Sequence, residues 1–127
     1  MDGLQKVAPL IARIFLAILF IMAGIGKLTG AEATAGYFGA LGIPLPGVSV
    51  YLVGLFELVG GIAIVAGYQT RNVALAFAVF SIASAVLAHT NFADQTQMIM
   101  FMKNLGLAGG FLLLWVHGPG GMAVDKK

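Results

Sequence analysis

The stretch Val48 to Gly67, VSVYLVGLFELVGGIAIVAG, constrains the chain most: twenty apolar or small residues in a row with one carboxylate, Glu57, near the middle. That length matches a membrane-spanning helix, which needs about 20 residues at about 1.5 Å each to cross some 30 Å of hydrocarbon. The Val, Leu, Ile and Phe residues of the run favour insertion by roughly 3 to 7 kcal/mol, and a central acidic residue opposes it by about 3. A side chain of that cost belongs in the protein interior beside a partner. The composition agrees: of 127 residues, 60% are hydrophobic and 9% charged, which puts the chain outside the soluble range. An integral membrane protein of one compact domain is expected, with no room for a separate soluble catalytic domain.

A formal charge of +2 with scattered basic residues gives no support for nucleic acid or a polybasic lipid-binding patch. The chain has no cysteine, which excludes disulfides, thiol relays and thiolate-held metal within it. Lys6 before an apolar run raises a signal peptide. The run is too long for one, Arg13 interrupts it, and Lys27 follows the small residues where cleavage would fall.

Four spans follow, at about 8–26, 48–67, 72–89 and 98–116, and the fold class is all-α, an integral membrane four-helix bundle. In the first, Arg13, Ala17, Phe20, Gly24 and Lys27 recur every three or four residues and share one helix face. Snorkelling of Arg13 to the near interface, with Lys27 marking the far end, is the plain alternative to a site. Thr29 and Glu32 suggest a capping box opening a short helix through Leu41, and GIPLPG then breaks the chain before the second span. Tyr68 to Arg71 is a tight link to the third span, whose Ala74, Ala78, Ser81, Ser84, Ala85 and Ala88 suit a central packing helix. GPGG stops the fourth span. Lys6, Arg71, Lys126 and Lys127 gather at one side against Lys27 at the other, so both termini are expected in the cytoplasm.

With this topology, helix rise sets Glu57 about 13 Å and Lys103 about 8 Å below the outer ends of their spans. Lys103 is the expected partner of Glu57, with Arg13 second, and His89 and Lys27 lie above them around an outward-opening polar pocket. A structural ion pair and a ligand or proton site are both open at this point. Gly54, Gly60, Gly61, Gly106 and Gly110 flank these charges and read first as helix packing. His89 has no second histidine at i+3 or i+4, so no metal site is expected. His117 reads as interfacial, and Met98, Met100 and Met102 as lipid-facing or core residues, because alternate positions splay around a helix.

The ordered set Arg13 to Lys27 (RxxxAxxFxxxGxxK), Tyr37 with LGIPLP, Glu57 before a glycine-rich run, GYQTR, His89, FMKN at 101–104 and GPG followed by Asp125 resembles the DoxX family over the whole chain. The resemblance implies a four-helix bundle of a bacterial-type inner membrane. In some relatives it implies association with quinone-linked oxidation of reduced sulfur or with oxidative and thiol stress. It carries over Arg13, Lys27, Glu57, His89, Lys103 and Asn104 as a candidate ligand-binding or proton-relay site. The lack of cysteine departs from related bundles that oxidise thiols through paired cysteines. Two functions result: a membrane subunit of a redox system that binds a quinone headgroup or a small anionic sulfur species, or a structural subunit that packs against other membrane proteins. No covalently bound cofactor is expected, and quinone is the candidate ligand. Expected partners are the lipid bilayer and other membrane or redox proteins, with a homo-oligomer open. A transporter is disfavoured, since no inverted repeat is evident.

Overall fold

A computed structural model describes residues 3–125 as five helices. They are α1 (Gly3–Thr29), α2 (Ala31–Ala40), α3 (Pro46–Ala66), α4 (Thr70–Ala88) and α5 (Gln95–His117). All but α2 are long and apolar enough to cross a membrane. Lys126 and Lys127, used above to orient the termini, lie outside the described residues.

Capping explains where the helices depart from the predicted spans. α5 begins at Gln95 rather than Met98, because the Asp94 side chain accepts from the backbone N–H of Thr96 at 2.9 Å and opens the helix early. α4 begins at Thr70, where the carboxylate of Asp125, 55 residues downstream, accepts from that residue's N–H at 2.7 Å. Its other oxygen accepts from Gln69 N–H at 2.9 Å. α3 opens on Pro46, whose missing N–H costs nothing in the first turn. The capping box expected at Thr29 does not form. Thr29 ends α1 instead, its hydroxyl donating to the Ile25 carbonyl at 2.8 Å, and Gly30 precedes α2 with no side-chain cap.

The helices pack as two pairs. α1 lies along α3 and α4 along α5, while α3 meets α4 far less and α1 barely meets α5. α4 is therefore not the central packing helix its small residues suggest, although Ala74, Ala78, Ser81 and Ala85 are buried. The closest backbone approach is the α1/α3 seam. A Cβ on Gly24 would stand 2.7 Å from the Gly54 carbonyl oxygen and 2.7 Å from the Leu58 nitrogen. In lipid, helices gain little from hydrophobic burial against each other, and such approach lets dispersion hold them.

Phenylalanines join the pairs. Phe20 of α1 stacks on Phe77 of α4 at 4.5 Å, Phe56 of α3 meets Phe77 edge-on at 4.9 Å, and Phe111 of α5 lies 5.2 Å from the same ring. Phe77 is fully buried, and the absent side chain of Gly60 makes its space: a Cβ there would be 2.7 Å from the ring. At one end of the bundle the tail after α5 folds back across the helix ends, with Val124 and Asp125 donating backbone N–H bonds to the Ala66 and Gly67 carbonyls.

Candidate functional site

At the end of the bundle away from that tail, the helix pairs separate around a cavity of about 450 Å³. Its walls are mostly apolar, with Leu19 and Phe20 from α1, Phe38 from α2, Phe80 and Leu87 from α4 and Met100 from α5. Polar groups converge on it from every span: Lys27, Glu57, His89, Lys103 and Asn104. This size and lining fit a small-molecule pocket. Five of the six candidate residues share it.

The partner of Glu57 is Lys27, not Lys103 or Arg13. Lys27 Nζ stands 2.7 Å from Glu57 Oε1. Among the described residues, Lys27 Nζ is the one side-chain group beside this buried oxygen. Side-chain direction decides the pairing. Helical side chains lean toward their own N-terminus. α1 and α3 are antiparallel, so Lys27 leans deeper into the bundle and Glu57 leans up to meet it. Gly54, one turn before Glu57, gives Lys27 its place: a Cβ there would press on Lys27 Cβ at 3.1 Å. Glu57 is 4% exposed and the lysine side chain 19%, so the pair is largely desolvated.

Lys103 is exposed at the cavity wall. Among the described residues, the Lys27–Glu57 contact is the sole ion pair, which leaves the Lys103 ammonium free to meet a ligand. Asn104 beside it is buried and presents both amide donors and a carbonyl acceptor. His89 closes the end of α4, its backbone N–H bonded to the Ala85 carbonyl and its half-buried ring at the wall. The sequence reading missed that Met100, assigned to lipid or core, lines the cavity, as does Ser84. Their i, i+4 relation to Asn104 and Ala88 was the available signal.

Arg13 lies elsewhere. Fully buried near the opposite end of α1, it donates to the carbonyls of Ile64 (3.3 Å), Val65 (2.8 Å), Gly121 (3.0 Å) and Met122 (2.7 Å). Two of these are end carbonyls of α3, at the negative end of the helix dipole, and that of Ile64 also accepts from the Gly67 N–H at 3.2 Å. The other two belong to the tail. Gly67, at φ 73°, is fixed as glycine by this clamp, since a Cβ would stand 2.7 Å from Arg13 Nη1. Arg13 thus ties the tail to α3, about 10 Å along that helix from Glu57. The glycine-rich tail, with carbonyls that no helix or sheet uses, was the sequence clue to this role.

Comparison with known proteins bears on the whole assembly. The DoxX family profile matches residues 8–90. The inner membrane protein YqjF of Escherichia coli K12 is 48% identical over 126 residues, covering 99% of this chain and 95% of its own. A second inner membrane protein of that organism, YphA, is 37% identical over 128 residues, with 97% and 91% covered. CatD of Bacillus subtilis, provisionally named an oxidoreductase, is 32% identical over 81 residues, 64% of this chain and 59% of its own. No solved structure matches the chain.

Proposed function

The chain belongs to the DoxX family of integral membrane proteins, and from that premise we propose that it is the membrane subunit of a quinone-linked redox system, with the cavity as the headgroup site. The observation that carries this reading is the cavity itself: an apolar chamber between membrane-spanning helices, lined from every span by an ion pair, a free ammonium, an imidazole and a buried amide. The provisional oxidoreductase name of CatD supports it.

A quinone would supply the two-electron chemistry that no cysteine of this chain can supply. The residues would bind and orient it. Lys103 and Asn104 can donate to ring carbonyls, and Leu19, Phe80 and Leu87 can enclose the apolar ring face. Lys27 holds Glu57 in place, and Glu57 and His89 are the groups able to pass a proton between cavity and exterior. Electrons would come from a partner protein.

The test is calorimetric titration of the purified protein in lipid nanodiscs with a short-chain ubiquinone or menaquinone analogue. Saturable binding is expected, weakened about tenfold or more by Asn104→Leu, the loss of roughly 1.4 kcal/mol of polar contact. No saturable binding to either quinone, with wild type and Glu57→Gln alike, overturns the reading.

A structural subunit is the second reading. Gly106 and Gly109 face outward on α5 with open space where a Cβ would go, and a partner helix could approach closely there. Under it, Glu57→Gln with Lys27→Met leaves function intact and each single change only lowers the amount of folded protein. The relatives and the four apolar helices make the chain a multi-pass inner-membrane protein. We place the end bearing Lys6 and Arg71 in the cytoplasm, by the excess of basic residues there. Reporter fusions to the C-terminus check that orientation.

A further inference from the structure

Where α1 and α5 barely meet, near the tail, lies a second groove of about 580 Å³, distinct from the cavity above. Its walls are apolar, with Ala12, Phe15 and Leu16 on one side and Gly110, Leu113 and Leu114 on the other. Phe15 (72% exposed) and Leu113 (63%) stand along its mouth, so it opens sideways into the bilayer. Gly110 forms its floor with Leu16, whose Cδ2 comes within 2.8 Å of where a Cβ on Gly110 would stand. The turn Gly118 to Gly120 closes its end against Pro9.

Basic residues flank that closed end, with His117 in its lining and Arg71 and Lys6 beside its turn. The Arg71 guanidinium lies over Gly118, its Nη2 and Nε 3.2 and 3.3 Å from where a Cβ would stand. Lys6 is exposed one turn before Pro9, its carbonyl 3.6 Å from the same point on Gly121, and His117 is exposed at the end of α5. The acidic group described here is Asp125, whose carboxylate is engaged by the N–H groups of Gln69 and Thr70. Arg13 also lines the groove, but its four carbonyl acceptors occupy it.

We propose that this groove binds a phospholipid with an anionic headgroup, one acyl chain lying between α1 and α5 and the phosphate held by Arg71, Lys6 and the imidazole of His117. An apolar slot ending at membrane-interface cations has the chemistry of such a lipid. A helix of a second copy fits poorly. The slot runs from Pro9 to Leu16, about 10 Å or two helical turns, too short to seat a membrane-spanning helix of about 30 Å along its length. A symmetric dimer through this face would also bring the two cationic rims toward each other.

Native mass spectrometry of the full chain, with equal concentrations of phosphatidylglycerol and phosphatidylcholine, tests this. One phosphatidylglycerol per chain is expected, held at least tenfold more tightly than phosphatidylcholine. Arg71→Gln and Lys6→Gln each weaken it roughly fivefold. Ala12→Phe, which fills the slot from an exposed position of α1, abolishes it, while the melting temperature in lipid-free detergent stays unchanged in all three variants. Equal retention of both lipids, or phosphatidylglycerol binding that survives Ala12→Phe, overturns the proposal. So does a lipid-free dimer that Ala12→Phe converts to monomer, which would give the slot to a second copy, and so does displacement of the lipid by an equal concentration of inorganic phosphate.

Discussion

Arg13 and Lys27 share one face of α1, yet the structure gives them different work. Arg13 bridges two stretches of backbone, and Arg13→Met would take a donor from four carbonyls, of which that of Ile64 keeps the Gly67 N–H. A loss of about 3 kcal/mol or more is expected, read as a drop in melting temperature, with Arg13→Lys a poor rescue because a point charge cannot span the fork. At the other pair, Lys27→Met should destabilise more than Lys27→Met combined with Glu57→Gln, since the single change leaves a buried carboxylate alone. Asp125 gives a pH signature. The backbone N–H of Thr70 chiefly, with that of Gln69 and the charge of Arg13, holds its carboxyl below the usual carboxylate range. A depressed folded pKa contributes stability that is complete above the unfolded value of about 3.9 and fades as the pH falls through the folded one. Protease cleavage of the tail should therefore rise in acid, and Asp125→Asn should be cleaved faster near neutrality with a flatter pH profile. At this scale the sequence was only partly legible. Helix rise places Cα atoms in depth, so it points Glu57 at Lys103. The pairing with Lys27 depends on where two side chains lean, and the role of Arg13 depends on a tail with no periodicity to read.

Among the elements, α1 and α3 make the seam that tolerates least change. A Cβ at Gly24 meets backbone on α3, which cannot swing aside as a side chain can. Gly24→Ala should cost about 1 to 3 kcal/mol, whereas Gly106→Ala, with nothing within 4 Å, should be neutral or slightly stabilising through helix propensity. Chemical denaturation in mixed micelles compares the two. The spans themselves were evident from length and apolar content, whereas the short α2 was expected from a capping box at Thr29 and Glu32 that does not form. The helix starts were not. Asp94 caps α5 locally and was available in the sequence, but the cap on α4 arrives from Asp125 and no local pattern announces it.

At the level of the molecule, two helix pairs meet through one group of rings. Phe77→Ala would open a cavity where Phe20, Phe56 and Phe111 converge, costing about 3 to 5 kcal/mol. The effect should exceed that of any single alanine on the lipid-facing surface, as thermal unfolding would show. This division of the bundle was not legible, because small residues on α4 signal close packing without naming the neighbour. The convergence of Lys27, Glu57, His89, Lys103 and Asn104 was legible, because each of the four spans carries a polar residue into that half of the bundle, but Arg13, read into the same set, lies at the other end. The clamp at the opposite end has a consequence for how the protein is made. Arg13 emerges early from the ribosome, and its acceptors at Gly121 and Met122 follow 108 and 109 residues later. At bacterial-scale elongation that interval is about 5 to 20 s. Through it the first span carries a guanidinium without its full set of acceptors, so this helix must wait, held by the insertion machinery or snorkelling to the surface, until the last turn of the chain arrives to secure it.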